Sequence, residues 1–267
     1  HLIVGLHPDH LISENKGPPV YNEQERCKIA RAIKWVDEVY ENAPYMNPIS
    51  LLDSIGADFL VHGGKNFKRT SFISTTDLVG RILLMTQTHH GLASQRESSP
   101  VTSSVSSPVT SLSCWGRQNM TVRAVEQQTS SADYIGHVNF LEAASKEGGY
   151  LLVGLYHDCV IQEKKGLNFP IMGLLERALN LLSLRYVSDV LIGAPEYLTP
   201  EFLKTNKVDV LIALSYRMTV GNCKKMGIFK MLESGSSVRT KDIIWRIVTH
   251  RYGRRTWQKS GRASLGS

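Results

Sequence analysis

The sequence predicts an α/β fold in which one domain occurs twice in tandem, each copy built around a doubly wound parallel sheet. Two observations lead to this prediction. Residues 3–6 (Ile-Val-Gly-Leu) return as residues 152–155 (Leu-Val-Gly-Leu), and similar matches follow them in the same order. Within each copy, short apolar runs alternate with segments of helical periodicity, which is the pattern of strands joined by helical crossovers.

The repeat extends well beyond its first strand. Successive polar and aromatic positions match in order: Asp9 with Asp158, Lys16-Gly17 with Lys165-Gly166, Glu25-Arg26 with Glu176-Arg177, Trp35-Val36 with Tyr186-Val187, and Asp77 and Arg81 with Asp242 and Arg246. Matches that stay in order over about 80 residues are characteristic of a duplicated structural unit. The chain therefore reads as a tandem duplication.

The elements of each copy can be placed in order. Leu2–Leu6 and Leu151–Leu155 are short apolar runs that end near Gly, as buried parallel strands do. Asn22, followed three residues later by Glu25, predicts the start of a helix. Ligands in such sheets bind beyond the carboxyl ends of the strands. Further strands are predicted at Val36–Val39, Phe59–Val61, Val187–Ile192 and Val208–Leu214.

Composition divides the chain into four parts. Residues 91–113 are dominated by Ser, Thr and Pro, which bury little apolar surface and predict a linker. We expect a first domain over residues 1–88, a linker over 89–130, a second domain over 131–250 and a basic tail over 251–267. The net charge is +7, and much of the excess lies near the end of the chain. A solvated tail and a contact with an acidic membrane surface both remain open.

Several classes of protein are disfavoured. No run approaches the roughly 18 apolar residues of a membrane span, and the first 20 residues lack the pattern of a signal peptide. The four cysteines lie far apart without a CxxC pair, which disfavours a zinc ribbon or a disulfide framework and favours a reducing cytoplasmic location. No metal site is predicted. Because Tyr252 and Trp257 are the only aromatic residues in the basic tail, a nucleic-acid partner is not expected.

One short motif could carry chemistry. Tyr134, Gly136 and His137 have the spacing of an HxGH signature whose first His is replaced by Tyr, and a helix is predicted just after it, over Asn139–Ser145. Gly allows close backbone approach, the start of a helix favours anionic oxygens, and an imidazole can donate a hydrogen bond to an oxygen that gains charge. A helix-capping or surface histidine is the alternative.

The motifs together resemble those of the ethanolamine-phosphate cytidylyltransferase family. The likeness rests on Lys16–Val20, Ile33–Val39, Val61-His62-Gly63, Lys68-Arg69-Thr70, Ser74–Arg81, Tyr134–Glu142, Tyr186–Gly193 and Ala194-Pro195. The resemblance implies two Rossmann-like domains of the HxGH nucleotidyltransferase type. It also implies conversion of CTP and phosphoethanolamine to CDP-ethanolamine and pyrophosphate, a step of phosphatidylethanolamine synthesis, with Mg²⁺ accompanying CTP.

The resemblance assigns roles to individual residues. His137, Lys16 and Lys165 match catalytic positions, although a solvated surface lysine is the alternative for the latter two. Tyr134, Gly136, His62 and Gly63 match substrate or nucleotide-binding positions, and His62 could instead be structural. A further phosphate-binding set, whose alternative role is a helix cap, comprises Arg69, Thr70, Ser74, Thr75 and Thr76 in the first copy and Ser236, Ser237 and Thr240 in the second.

The chain also departs from the family pattern. The HxGH segment of the first copy would precede His1, and between Gly63 and Arg69 the chain is about twenty residues shorter than the family pattern. In the second copy residues 127–133 are polar, so both copies are expected to lack their N-terminal strand. Because losing one transition-state donor costs about 10²–10³ in turnover, we expect impaired activity.

Two further expectations concern partners and location. The alternative to a weak enzyme is an inactive binding or regulatory form that pairs with an intact enzyme. A homodimer and a peripheral location at the endoplasmic reticulum surface are compatible with either expectation.

Overall fold

The computed structural model describes residues 1–46, 49–61, 75–87, 122–127, 134–166, 169–213, 226–233, 235, 238 and 242–249. The chain forms two compact units, which we call the first unit (residues 1–84 and 241–267) and the second unit (residues 85–240). In the part of the chain that the structure describes, no helix is long and apolar enough to cross a membrane.

The first unit begins with a strand, two helices and a second strand. β1 (Ile3–Gly5) and β2 (Glu38–Tyr40) pair in parallel across α1 (Asp9–Lys16) and α2 (Glu23–Ala32). The parallel strands and α2 agree with the prediction, whereas α1 was not predicted and β2 begins two residues later than expected. The unit also contains α3 (Ile49–Ser54), the part of α4 (Thr75–Gln87) up to residue 84, and a helical segment over residues 242–249, which we call α9.

The predicted start of α2 is confirmed in atomic detail. The Asn22 side chain accepts a hydrogen bond from the Glu25 amide at 2.9 Å, and the Glu25 carboxylate accepts one from the Asn22 amide at 2.8 Å. This reciprocal pair satisfies two amides that the first turn of a helix otherwise leaves without partners. Cys27, Ala30 and Ala32 of the same helix are buried, and so is Glu25 itself.

The second unit contains a five-stranded, wholly parallel sheet. Its order is β5-β4-β3-β6-β7, so the chain starts at the centre, moves outward to one edge and then returns to build the other side. The elements are β3 (Val122–Gln127), α5 (Tyr134–Ser145), β4 (Tyr150–Leu155), α6 (Asp158–Lys165), α7 (Leu174–Ser183), β5 (Asp189–Ile192), α8 (Pro200–Thr205), β6 (Val208–Ala213) and β7 (Phe229–Met231).

The core of the second unit lies between this sheet and its helices. All residues of β4 from Leu151 to Leu155 are buried, as expected of a strand covered on both faces. Val138, Phe140 and Leu141 on α5 are fully buried, and so are Leu211 and Ile212 on β6. This packing holds α5 firmly against the sheet, which defines the direction of its N-terminus.

The structure corrects the expectation that the second copy lacks its opening strand. Val122–Gln127 forms β3, which pairs with both β4 and β6 at the centre of the sheet. The polar run over residues 127–133 begins at the last residue of this strand, Gln127, rather than taking the place of the strand. The predicted helix over Asn139–Ser145 also begins earlier, at Tyr134, so the motif belongs to its first turn. β3 falls inside the expected linker, residues 89–130.

The prediction of a strand at Phe59–Val61 is wrong. These residues form no strand, and Phe59, Leu60 and Val61 are 86%, 54% and 66% exposed. Their counterparts in the repeat, residues 210–212, lie in β6 and pair with β3. Since the described residues of the first unit contain only the β1–β2 sheet, the 59–61 segment has no neighbouring strand to pair with.

The expected domain boundaries at 88, 131 and 250 stay predictions, and so does the basic tail over residues 251–267, which lies outside the described residues. The structure groups residues 242–249 with residues 1–84 in the first unit.

Candidate functional site

The first turn of α5 lies beyond the carboxyl end of the central strand β3. Tyr134 begins the helix, Gly136 is buried and His137 is partly buried. β4 and β5 lie on one side of β3, and β6 and β7 lie on the other side. Open α/β sheets bind ligands at such a switch point in the strand order. The amides of the first helical turn and the helix dipole favour an anion at this position. The motif is therefore placed where a phosphate-bearing ligand would bind.

Lys16 and Lys165 occupy equivalent positions in the two units. Each is the last residue of the helix that follows the first strand of its β-α-α-β segment, α1 or α6. The next residues, Gly17 and Gly166, have φ values of +86° and +102°, which only glycine adopts readily. The Lys-Gly pair thus ends a helix in both units, and Lys16 is exposed to solvent.

In the second unit a buried guanidinium clamps the residues after β4. Arg177 donates to the Tyr156 carbonyl at 2.9 Å and to the Asp158 carboxylate at 2.5 Å. The other carboxylate oxygen of Asp158 accepts from the Leu174 amide at 3.1 Å. The Arg177 side chain is 1% exposed, and its Nε and Nη1 atoms have no hydrogen-bond partner among the residues that the structure describes. These hydrogen bonds hold both ends of the segment from Asp158 to Leu174, which contains Lys165.

The first unit carries the same clamp. Arg26 donates to Asp9 at 2.5 Å, to the His7 carbonyl at 2.6 Å and to the Tyr21 carbonyl at 2.7 Å. The Glu23 amide donates to the second oxygen of Asp9 at 3.2 Å. Charge-assisted hydrogen bonds are stronger than hydrogen bonds between neutral groups. These contacts therefore hold both ends of the segment from Asp9 to Glu23, which contains Lys16.

A further close approach lies beyond β4 and β5. Gly193 follows β5 with φ +74°, and a Cβ atom built there would lie 2.6 Å from Nε2 of His157. The Gly193 and Ala194 amides both donate to the Leu155 carbonyl, at 2.9 and 3.0 Å. Lys164 lies over the Tyr156 ring, 4.9 Å from its centroid. This edge of the sheet therefore combines tight backbone packing with one cationic side chain, Lys164, which also pairs with Glu196 at 2.8 Å.

The remaining predicted site residues are only partly described. Tyr134 and Lys165 are described by their backbone alone, as are Thr75 and Thr76, which form the first residues of α4. The structure therefore relates His137, Gly136 and the Lys-Gly pairs to the sheet, but it does not bring the whole predicted set together. The others lie outside the described residues: His62, Gly63, Arg69, Thr70, Ser74, Ser236, Ser237 and Thr240.

Comparisons with known proteins identify the family. The cytidylyltransferase-like family model matches residues 1–104 and 135–243. The ethanolamine-phosphate cytidylyltransferase of Dictyostelium discoideum is 37% identical over 94% of this chain and 83% of its own. The mouse enzyme of the same name is 35% identical over 94% of this chain and 80% of its own, and that of Arabidopsis thaliana is 31% identical over 93% and 74%.

This chain belongs to the ethanolamine-phosphate cytidylyltransferase family. It is thus a nucleotidyltransferase by family, and the resemblance inferred from its sequence motifs is confirmed. The two separate matches to the family model agree with the tandem repeat.

The cytidylyltransferase motifs did not reveal the Arg–Asp clamps. Asp9, Arg26, Asp158 and Arg177 all appear among the repeat matches, but the sequence gives no indication that each Arg contacts the Asp of its own copy. The available signal was that a basic and an acidic residue recur together in both copies. A charged pair retained in a duplicated family domain is a reasonable candidate for a structural contact near its site.

Proposed function

We propose that this chain transfers the cytidylyl group of CTP to phosphoethanolamine, giving CDP-ethanolamine and pyrophosphate, at the site of the second unit. The observation that carries the proposal is the β3–α5 unit. It presents Tyr134, Gly136 and His137 in a helical first turn beyond the central parallel strand of a family member.

The reaction needs positioning and charge neutralisation rather than a covalent enzyme intermediate. A phosphate oxygen of phosphoethanolamine attacks the α-phosphorus of CTP. The new P–O bond forms as the bond from the α-phosphorus to the bridging oxygen breaks, and pyrophosphate leaves with the electron pair. Negative charge therefore grows on the leaving oxygens, and hydrogen-bond donors aimed at them lower the barrier.

The residues of the second unit suit these tasks. His137 donates a hydrogen bond to an oxygen that gains charge, and the amides of the first turn of α5 hold the phosphates. Lys165 pairs with the nucleotide phosphates as a point charge, and Arg177 holds its segment through Asp158. Ser236, Ser237 and Thr240 retain the phosphate-binding role that the family resemblance implies.

Mg²⁺ accompanies CTP in this proposal and neutralises phosphate charge. Such an ion is typically held by the nucleotide phosphates and water with few protein ligands. The described residues contain no group of three or more His, Cys, Asp or Glu side chains placed to hold a metal. We therefore assign no protein residue to the ion.

Turnover is expected to be slow. Tyr134 replaces the first imidazole of the motif, and a neutral phenol is a single donor that does not become cationic near pH 7. The opening strand of the second unit is present. Two departures from the family pattern remain in this unit: Tyr134, and Ala213-Leu214 at the position where the first repeat has His62-Gly63. In the first unit, the family resemblance gives Lys16 the same role toward nucleotide phosphate as Lys165.

Pyrophosphate release from CTP, Mg²⁺ and phosphoethanolamine tests the proposal. We expect slow turnover that His137→Ala lowers by about 10²-fold, whereas His10→Ala leaves it unchanged because His10 is exposed on α1. Turnover that does not depend on His137, or a preference for phosphocholine, would contradict the assignment.

The second candidate function is a binding or regulatory form that pairs with an intact copy of the enzyme. The exposed apolar segment Phe59–Val61 favours it, because its counterpart in the second unit is buried beside β3. Calorimetry without CTP binding, together with co-purification with a full-length enzyme, would favour this candidate over catalysis.

A further inference from the structure

The helical segment α9 originates in the second repeat but lies in the first unit. Asp242 and Arg246 match Asp77 and Arg81 of the first repeat in sequence. Residues 241–267 nevertheless group with residues 1–84. Ile243 and Ile247, one turn apart on α9, are 1% and 4% exposed. One apolar face of α9 is therefore buried.

Arg246 joins α9 to the capping box of α2. Its Nη1 donates to Glu25 Oε2 at 2.7 Å and to Oε1 at 3.1 Å, and its Nη2 donates to Oε1 at 3.1 Å. The Glu25 side chain is only 8% exposed. A bidentate guanidinium matches a carboxylate in both geometry and charge, and this hydrogen bonding to Glu25 raises the pKa of Arg246 above its usual value.

The same guanidinium contacts the segment that follows Lys16. Arg246 Nη1 donates to the Val20 carbonyl at 3.3 Å. One residue later, the Tyr21 carbonyl accepts from Arg26 at 2.7 Å. Residues 17–22, which we call the connecting segment, are therefore held by one arginine from their own repeat and by another from the second repeat.

We propose that Arg246 is a positioning residue that acts through Glu25 and Val20 on the connecting segment behind Lys16. The second repeat thereby supplies part of the framework of the first unit. Ordering of the connecting segment depends on a contact between residues separated by 221 positions in the chain. Its effect on nucleotide binding through Lys16 rests on the proposed function, whereas its effect on segment order does not.

Amide hydrogen exchange of the Arg246→Gln variant tests the structural part. We expect exchange over residues 17–25 to accelerate by at least about tenfold, while residues 174–183 of α7 keep their wild-type rate. Arg31→Gln is the matched control, because Arg31 lies on α2 and pairs with Glu41 at an exposed position. Wild-type exchange over residues 17–25 in Arg246→Gln, or equal acceleration by Arg31→Gln, would overturn the proposal.

CTP binding to the full chain tests the positioning part. Lys16 lies in the first unit and the proposed catalytic site lies in the second. We therefore expect Arg246→Gln to weaken CTP binding to the first unit about fivefold or more, while kcat changes less than twofold. Arg246→Lys keeps the charge but not the bidentate fork, so it should restore only part of the loss and also serves if Arg246→Gln does not fold. Unchanged CTP affinity of the first unit in both variants, measured by calorimetry, would overturn the positioning role. Absence of turnover in the wild-type chain would instead contradict the proposed function, and exchange alone would then decide.

Discussion

Arg177 and Asp158 form the more deeply buried of two equivalent ion pairs that recur in the duplicated chain. The Arg177 side chain is 1% exposed, whereas its counterpart Arg26 is 18% exposed, and the Asp partners are 37% and 41% exposed. Besides its Asp partner, Arg26 donates to two backbone carbonyls, whereas Arg177 donates to one. The guanidinium of Arg177 therefore depends more strongly on its carboxylate partner than the guanidinium of Arg26 does.

This difference predicts unequal costs for removing the two carboxylates. Asp158→Asn should lower the free energy of unfolding by about 2–3 kcal/mol, because it removes the counter-charge of a buried guanidinium and replaces one of the two accepting oxygens, which serve Arg177 and the Leu174 amide, with a donor. Asp9→Asn should cost about 1 kcal/mol, since Arg26 retains its carbonyl partners and partial contact with water. Urea unfolding, followed by hydrogen exchange in each unit, measures both values. Equal losses, or a larger loss for Asp9→Asn, would show that burial does not set the difference.

Substitution of Gly193 should be destabilising because of its backbone conformation, not because space for a side chain is lacking. An added Cβ would meet Nε2 of His157, but that ring is exposed and can move. The φ of +74° cannot be relieved in this way, so Gly193→Ala should cost about 1–2 kcal/mol. Gly149→Ala is the control, because a Cβ there meets nothing within 4 Å. Full recovery of Gly193→Ala stability by a second His157→Ala substitution would point to the steric clash instead.

Cys27 should react slowly with thiol reagents. It is 3% exposed, and burial, with a smaller contribution from Glu41, raises the pKa of its thiol. A raised pKa lowers the thiolate fraction at every pH below it, and thiolate is the reactive form. At pH 8 we expect iodoacetamide to modify the exposed Cys159 at least about tenfold faster, with Cys27 accelerating as the pH is raised toward 9.5. Peptide-resolved mass spectrometry checks the ratio, and equal rates at pH 8 would contradict it.

Restoring the first imidazole of the motif should raise activity. Tyr134→His supplies a second donor that can become cationic at the start of α5, and one such donor is commonly worth about 10²–10³ in turnover. We expect an increase of at least about tenfold in pyrophosphate release. Tyr197→His, at a position 62% exposed, should have no effect. If both variants match the wild-type rate, Tyr134 does not occupy the position of the first His.

Much of the local structure was predictable because its causes lie close together in the chain. The Asn22–Glu25 capping box, the apolar run of β4 and the Lys-Gly helix ends all depend on residues within a few positions of one another. Phe59–Val61 failed as a strand because strand formation needs a neighbour, and the apolar pattern alone does not supply one. β3 was not predicted, because the residues directly before Tyr134 are polar and lack the apolar pattern of a strand.

The amino-acid sequence by itself determined the duplication, the family and the parallel α/β architecture, since matched motifs and alternating periodicities are properties of the order of residues. Only the tertiary structure decided that β3 completes the sheet of the second unit, that Arg177 clamps Asp158, and that α9 joins the first unit through Glu25. These contacts depend on which distant segments pack together. Packing is governed by the burial of apolar surface and the pairing of buried charge over the whole molecule, which no local pattern records.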